Sequence, residues 1–175
     1  MARDQNHPPS AACLSASMRD LGYSLETAIA DLIDNSISAG ADAIDIICDL
    51  SGRQPLVVIV DNGRGMTEAE LLDAMRHGTA NPRQQRSPRD LGRFGLGLKT
   101  ASFSQCRSLT VASARDGVRC GAEWNLDRID AADDWILSIL DAADLDALSY
   151  VDRIGVHGTA VVWRELDRLV EDEAG

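Results

Sequence analysis

The sequence has no apolar run long enough to cross a bilayer. Its longest, such as Leu56 to Val60, falls far short of the roughly 20 residues that a spanning helix needs. It also opens without a charged-then-apolar leader: Met1 to Ser10 is polar and carries Pro8 and Pro9, so no secretory signal is expected. Cysteine is sparse. Cys13, Cys48, Cys106 and Cys120 are widely spaced, form no Cys-x-x-Cys pair and have no histidine partner nearby. That spacing excludes a zinc knuckle or a disulfide scaffold and fits a reducing, cytoplasmic setting, with the cysteines as small core or surface residues. Positive charge is scarce too: 17 bases face 28 acids, for a net charge of -11. A compact domain of that balance is poorly suited to gripping nucleic acid by itself. Lysine is nearly absent, Lys99 being the only one among those 17 bases. Neither an internal repeat nor a low-complexity segment occurs, beyond a mildly Ala/Asp-rich stretch after Asp127.

What is present is an ordinary globular composition, 45% hydrophobic and 26% charged over 175 residues, enough for one domain with a real core. The charge is segregated. Arg76, Arg83, Arg86, Arg89, Arg93 and Lys99 share one stretch with a single acid, Asp90, whereas Glu123 to Asp146 holds eight acids against Arg128. A solvated loop would explain the basic stretch equally well as a ligand site.

Pattern and punctuation predict the elements. Ser10 to Leu21 reads as a short helix stopped by Gly22. Ser24 caps the next, where Leu25, Ala28, Ile29, Leu32, Ile33 and Ser36 recur at helical spacing until Gly40. Ala43 to Leu50 alternates like a strand, and Pro55 to Val60 reads as a buried one. Thr67-x-x-Glu70 is a capping box that opens a helix to about Arg76, closed by Gly78. Asn81 to Arg93 is a long polar loop of the kind that is functional or mobile. Leu96 to Gln105 reads as helix, Ser108 to Ala114 and Val118 to Trp124 as a hairpin around Asp116-Gly117, and Thr159 to Arg164 as a last strand; Ile136 to Leu140 is ambiguous. The sum is an α+β, two-layer sandwich: a mixed, mostly antiparallel sheet with helices on one face.

Four places carry chemistry. On the second helix, Asp31 and Asn35 are four apart and stack along one edge of the apolar stripe, a costly placement for polar groups unless they serve a ligand or metal. Glu26 and Asp34 fall on the solvent side. Next, the buried strand runs into Asp61-Asn62-Gly63-Arg64-Gly65-Met66. Here a carboxylate suits an exocyclic amine, the glycines permit close approach to a flat ligand and Met66 can pack on a ring, although Asp-Asn-Gly is also ordinary turn chemistry. Third, Gly92-Arg93-Phe94-Gly95-Leu96-Gly97-Leu98-Lys99 places three glycines and a lysine at a helix start, a phosphate cradle that matches neither a P-loop nor the dinucleotide fingerprint. Last, His157-Gly158-Thr159 leads the final strand, where a threonine hydroxyl could support Asp61.

In order and spacing, these elements resemble the nucleotide-binding domain of the gyrase, heat-shock-chaperone, histidine-kinase and MutL superfamily (the Bergerat fold), closest in flavour to microrchidia- and MutL-like ATPases. The resemblance covers about 21–166, after an N-terminal segment (1–20) and ahead of a short tail (167–175). It implies ATP and Mg²⁺ as cofactors, with Asn35 as the Mg²⁺ ligand and Asp31 as the base that activates water. Asp61 then reads the adenine amine, beside Ala39, Gly63, Gly65, Met66 and Thr159. Gly92, Gly95, Leu96, Gly97, Leu98 and Lys99 wrap the phosphates, and about 77–94 is a lid. The implied activity is slow ATP hydrolysis, with lid closure switching an ATP-dependent homodimer or a protein partner.

Hydrolysing relatives mostly carry glutamate where this chain has Asp31. Aspartate is one methylene shorter, so its oxygens retreat by roughly 1.5 Å, and a misplacement of about 1 Å can cost on the order of a hundredfold. A non-hydrolysing nucleotide sensor is therefore an alternative. A phosphotransferase of the histidine-kinase kind is another, though no phospho-acceptor histidine helix is visible. An acidic interaction module would have to treat all four motifs as coincidence. The relatives continue into a transducer segment, whereas this sequence ends a few residues past its last motif, as an excised domain or a short natural protein would.

Overall fold

The computed structural model describes residues 8–20, 23–50, 54–77, 97–148 and 150–170. Five of the helix starts among the described residues follow from a side-chain cap. Ser10 accepts from Cys13 N to open α1 (Ala11–Arg19), and Ser24 accepts from Thr27 N to open α2 (Leu25–Ser38). After β1 (Ile44–Asp49) and β2 (Leu56–Asp61), the Thr67/Glu70 capping box opens α3 (Glu68–Met75). α4 (Gly97–Phe103) precedes β3 (Ser108–Arg115) and β4 (Val118–Asn125), joined through Asp116 and Gly117, both at positive φ as a tight hairpin requires. Two short helices follow that periodicity did not predict: α5 (Leu126–Ala132), capped by Asn125, and α6 (Ala142–Ala147), opened by an Asp141/Asp144 capping box. Between them lies β5 (Leu137–Ile139), which resolves the ambiguous stretch as strand. A 3-10 turn (Val151–Arg153), β6 (Gly158–Arg164) and α7 (Asp167–Val170) complete the described chain.

The sheet order is β1-β2-β6-β3-β4-β5, and every pairing is antiparallel. The expected α+β sandwich is observed, but the sheet is wholly antiparallel among the described residues rather than mixed, and helices do not keep to one face. Strand side chains alternate faces. Val57, Ile59, Leu109, Val111, Val161 and Trp163 point into one core, built with Ala28 and Leu32 of α2, Leu71 and Met75 of α3, and Ala101 and Phe103 of α4. Buried indoles are satisfied: Trp163 donates to Ser102 Oγ at 2.8 Å and Trp124 to the Met75 carbonyl at 3.0 Å. The opposite face is also covered. Val58, Val60, Ala112, Ala160 and Val162 pack against Leu145, Val151 and Ile154, so α6 and the 3-10 turn lie across from the main helices. At the other end, Arg19 grips both oxygens of Asp167 at 2.7 Å and ties α1 to α7.

Candidate functional site

Register brings the sequence candidates together at one corner of the sheet. Asp61 ends β2 directly opposite Thr159, which in turn lies opposite Ser113 on β3, and Ser113 opposite Cys120 on β4. By strand alternation this polar row shares the face of Val57 and Ile59, under α2. Asp61 is only 7% exposed. A carboxylate so buried needs donors, and it has them. Ser36 Oγ donates to Oδ2 at 2.8 Å, and the Gly63 amide donates to Oδ1 at 2.9 Å. Each oxygen is thus oriented through one lone pair, which leaves the other for a ligand. Ser36 escaped sequence reasoning because it occupies a slot in the apolar stripe of α2. Its signal was being the one hydroxyl in that stripe.

The loop after Asp61 is held at several points. Asn62 Oδ1 accepts from the amides of Asp42 and Ala43 at 3.1 and 3.0 Å, and the Arg64 amide donates to the Ala39 carbonyl at 3.0 Å. Gly65 adopts φ +65°, and a Cβ there would lie 1.8 Å from the Ala114 carbonyl oxygen. No other residue fits. The Met66 amide donates to Ser113 Oγ at 2.8 Å; that oxygen bonds the Gly158 carbonyl at 2.8 Å and lies 2.9 Å from Thr159 Oγ1. Ala39, Asp61, Gly63, Gly65, Met66 and Thr159 therefore form one constellation. A cleft of about 480 Å³ opens beside it, between Ala39–Gly40, Asn62–Arg64 and Arg115–Asp116.

A second group lies along α2. Asp31 is half-buried, and a Cβ on Gly97 would come within 3.7 Å of its Oδ2, so the start of α4 faces this carboxylate. Tyr23 reaches it as well: burial first, then the charge and hydrogen bond of Asp31, push the phenol above its ordinary pKa. Asn35, one turn on, is exposed, and its side chain has no hydrogen-bond partner among the described residues. A free carboxamide oxygen fits Mg²⁺, which binds through few protein oxygens and keeps several waters. The described residues hold no cluster of three acidic, histidine or cysteine side chains that would suit a more fully caged metal.

Lys99 is placed elsewhere. Its side chain is fully buried, and its ammonium donates to the carbonyls of Ala74 and Arg76, both at 2.7 Å. Those are free carbonyls at the C-terminal end of α3, so Lys99 links α4 to α3. Burial pushes its pKa down to about 8, against the opposing pull of Asp73. Next to it, His77 stacks among Phe103, Trp124 and Trp135 with centroids 4.1 to 5.9 Å away. Burial, then the Lys99 charge, lowers the imidazole to about 4, so it is neutral at pH 7. Leu98 packs against the main core. Gly92, Gly95 and Leu96, with most of the 77–94 segment, lie outside the described residues.

A family model described as "Histidine kinase-, DNA gyrase B-, and HSP90-like ATPase" matches residues 23–159. The chain belongs to that family. A DNA mismatch repair protein MutL from Elusimicrobium minutum is 34% identical over 89 residues, covering 50% of this chain and 14% of its own length. A MutL from Microcystis aeruginosa is 36% identical over 95 residues, 53% of this chain and 17% of the relative. The ATPase morc-1 of Caenorhabditis elegans is 32% identical over 93 residues, 53% of this chain and 10% of the relative. The chain thus spans under a fifth of the length of these relatives. No helix among the described residues is long and apolar enough to cross a membrane.

Proposed function

We propose that this chain is a Mg²⁺-dependent ATP-binding domain that hydrolyses ATP slowly. The observation that carries the reading is Asp61, a nearly buried carboxylate aligned by Ser36 and the Gly63 amide, with Thr159 beside it in register. Acceptor-only oxygens in a tight notch recognise an exocyclic amine, and the glycines let the loop backbone approach a flat base. Asp31 takes a proton from the attacking water, with Tyr23 orienting the carboxylate from behind. Mg²⁺, held through Asn35, supplies charge neutralisation on the triphosphate when bound. Gly97 leaves room in front of Asp31 for that water or a phosphate oxygen.

Closure of the 77–94 segment over nucleotide, switching a homodimer or a protein partner, extends this reading from the family likeness. Calorimetric titration of Mg²⁺-ATP into the parent and Asp61→Asn tests the binding step. Saturable binding by the parent and its loss in the variant are expected; a folded parent that takes up no Mg²⁺-ATP would refute the reading. A sensor that binds without turnover is the second reading, favoured by the short Asp31 and its bond to Tyr23. Asp31→Glu separates the two: a large rise in phosphate release supports the sensor, and a fall supports a working aspartate.

A further inference from the structure

We propose that the end of β3, Ser113 to Arg115, is a clamp that positions the Gly63–Met66 loop, with Arg115 as a positioning residue for base recognition. This rests on the nucleotide-binding reading above. The peptide group between Gly65 and Met66 is held from both sides. Arg115 Nη2 donates to its carbonyl, Gly65 O, at 2.5 Å, and Ser113 Oγ accepts from its amide, Met66 N, at 2.8 Å. Between these two anchors the Ala114 carbonyl lies directly against the Cα of Gly65, so close that only a glycine fits. Three consecutive residues of one strand therefore set the height and rotation of a single peptide plane. Arg115 also extends Nε toward the Arg64 carbonyl at 3.4 Å and pairs Nη1 with Glu70 at 2.7 Å.

The anchor has its own foundation. Glu70 is the capping-box residue of α3, accepting from Thr67 N at 2.8 Å and from Thr67 Oγ1 at 2.9 Å. Those bonds, with Arg115, hold its carboxyl down at about 2, so it stays a carboxylate under all ordinary conditions. The guanidinium is thereby fixed by an ionised partner on a helix start while its other nitrogens reach the loop carbonyls. A planar fork does this; a lysine ammonium cannot span the same three acceptors. Ser113 adds the link to recognition, since the oxygen that holds Met66 N also lies 2.9 Å from the Thr159 hydroxyl. Loop height and the orientation of Thr159 are thus set by one atom, opposite Asp61 across β6. Loss of the clamp shifts the base-reading atoms relative to one another and leaves the triphosphate end alone.

The test compares dissociation constants for Mg²⁺-ATP and Mg²⁺-GTP across the parent, Arg115→Lys, Arg115→Met and Ser113→Ala, beside amide hydrogen exchange. The expected result is a tenfold or greater loss of ATP affinity in Arg115→Met and Ser113→Ala, a smaller loss in Arg115→Lys, and a fall in the ATP-to-GTP preference. A merely structural role would lower stability and leave that preference unchanged. In the nucleotide-free parent the Met66 amide should be protected from exchange, and Ser113→Ala should release it while the β2 and β6 amides stay slow. Folded variants with the parent's affinity and preference, or a parent whose Met66 amide exchanges like a free loop, would overturn the clamp alone. A parent that binds neither nucleotide would overturn the nucleotide reading and this inference with it.

Discussion

Gly65→Ala is the sharpest perturbation of the site, because two costs can be separated by comparison with other glycines. Gly40 and Gly117 also sit at positive φ (+79° and +78°), but a Cβ at either meets nothing within 4 Å. Alanine there carries only the left-handed backbone cost, about 1 kcal/mol. Gly65, at φ +65°, carries that cost as well, and its new Cβ would lie 1.8 Å from the Ala114 carbonyl oxygen. The loop and β3 must separate by more than about 1 Å, and forced overpacking of this kind costs about 1–3 kcal/mol. The sum is about 2–4 kcal/mol at Gly65, against about 1 kcal/mol at the two controls. In a domain of this size that is a Tm loss of roughly 5–15 °C, against roughly 2–4 °C for the controls. The same shift moves Met66 and the loop away from Asp61, so Mg²⁺-ATP affinity should fall on the order of a hundredfold. Thermal melts of the three variants, with calorimetry on those that fold, make the measurement. If Gly65→Ala matched Gly40→Ala in both Tm and affinity, the close approach to Ala114 would not be what shapes this loop.

Four further outcomes are expected. Ser36→Ala removes one of the two donors to Asp61 and should weaken Mg²⁺-ATP by roughly tenfold, a cost of about 1–1.5 kcal/mol, with the fold intact by circular dichroism. Lys99→Met leaves the Ala74 and Arg76 carbonyls without their donor and should cost about 1–3 kcal/mol in urea melts. Because Lys99 gives up its proton near pH 8 folded and near the ordinary lysine value of 10.5 unfolded, the unfolded chain holds more protons between those limits. Relative to Lys99→Met, the parent should therefore gain stability from pH 8 to 10.5. Glu70 has the opposite sign in acid: its carboxyl is lowered to about 2, so the stability it lends is present above about 4.5 and fades as pH falls toward 2. Acid titration of Glu70→Gln should show a shallower loss across that window.

Much of this arrangement was legible in the chain, and what was not has physical reasons. The run from Leu56 to Asp61 announced a buried strand with an acid at its end, and its pairing opposite Thr159 follows from placing both at strand termini. The Thr67/Glu70 box and the Asp116-Gly117 hairpin were local signals, and local geometry kept them. Helices α5 and α6 were missed because their six or seven residues are too few for an apolar period to register, although Asn125 and Asp141 are strong caps. Lys99 read as a phosphate ligand from its neighbours in sequence, while the fold turns its ammonium onto the end of α3. Nothing local marks a lysine as a carbonyl cap for a helix some 20 residues upstream. Ser36 and Arg115 carry long-range roles that only register and packing assign, since each acts on a residue distant in the chain.

The burial of Lys99 gives the molecule a built-in reporter. It holds the chain's only side-chain amine, and that amine is wholly shielded from solvent between α3 and α4. Reagents that acylate amines can reach this side chain only when the two helices part. The rate at which they do so measures that parting directly, with no probe engineered into the chain. Nucleotide that tightens the α3–α4 contact would slow the reaction, and a partner that pries it apart would speed it. The exposed thiols of Cys13 and Cys48 offer an internal reference outside that seam.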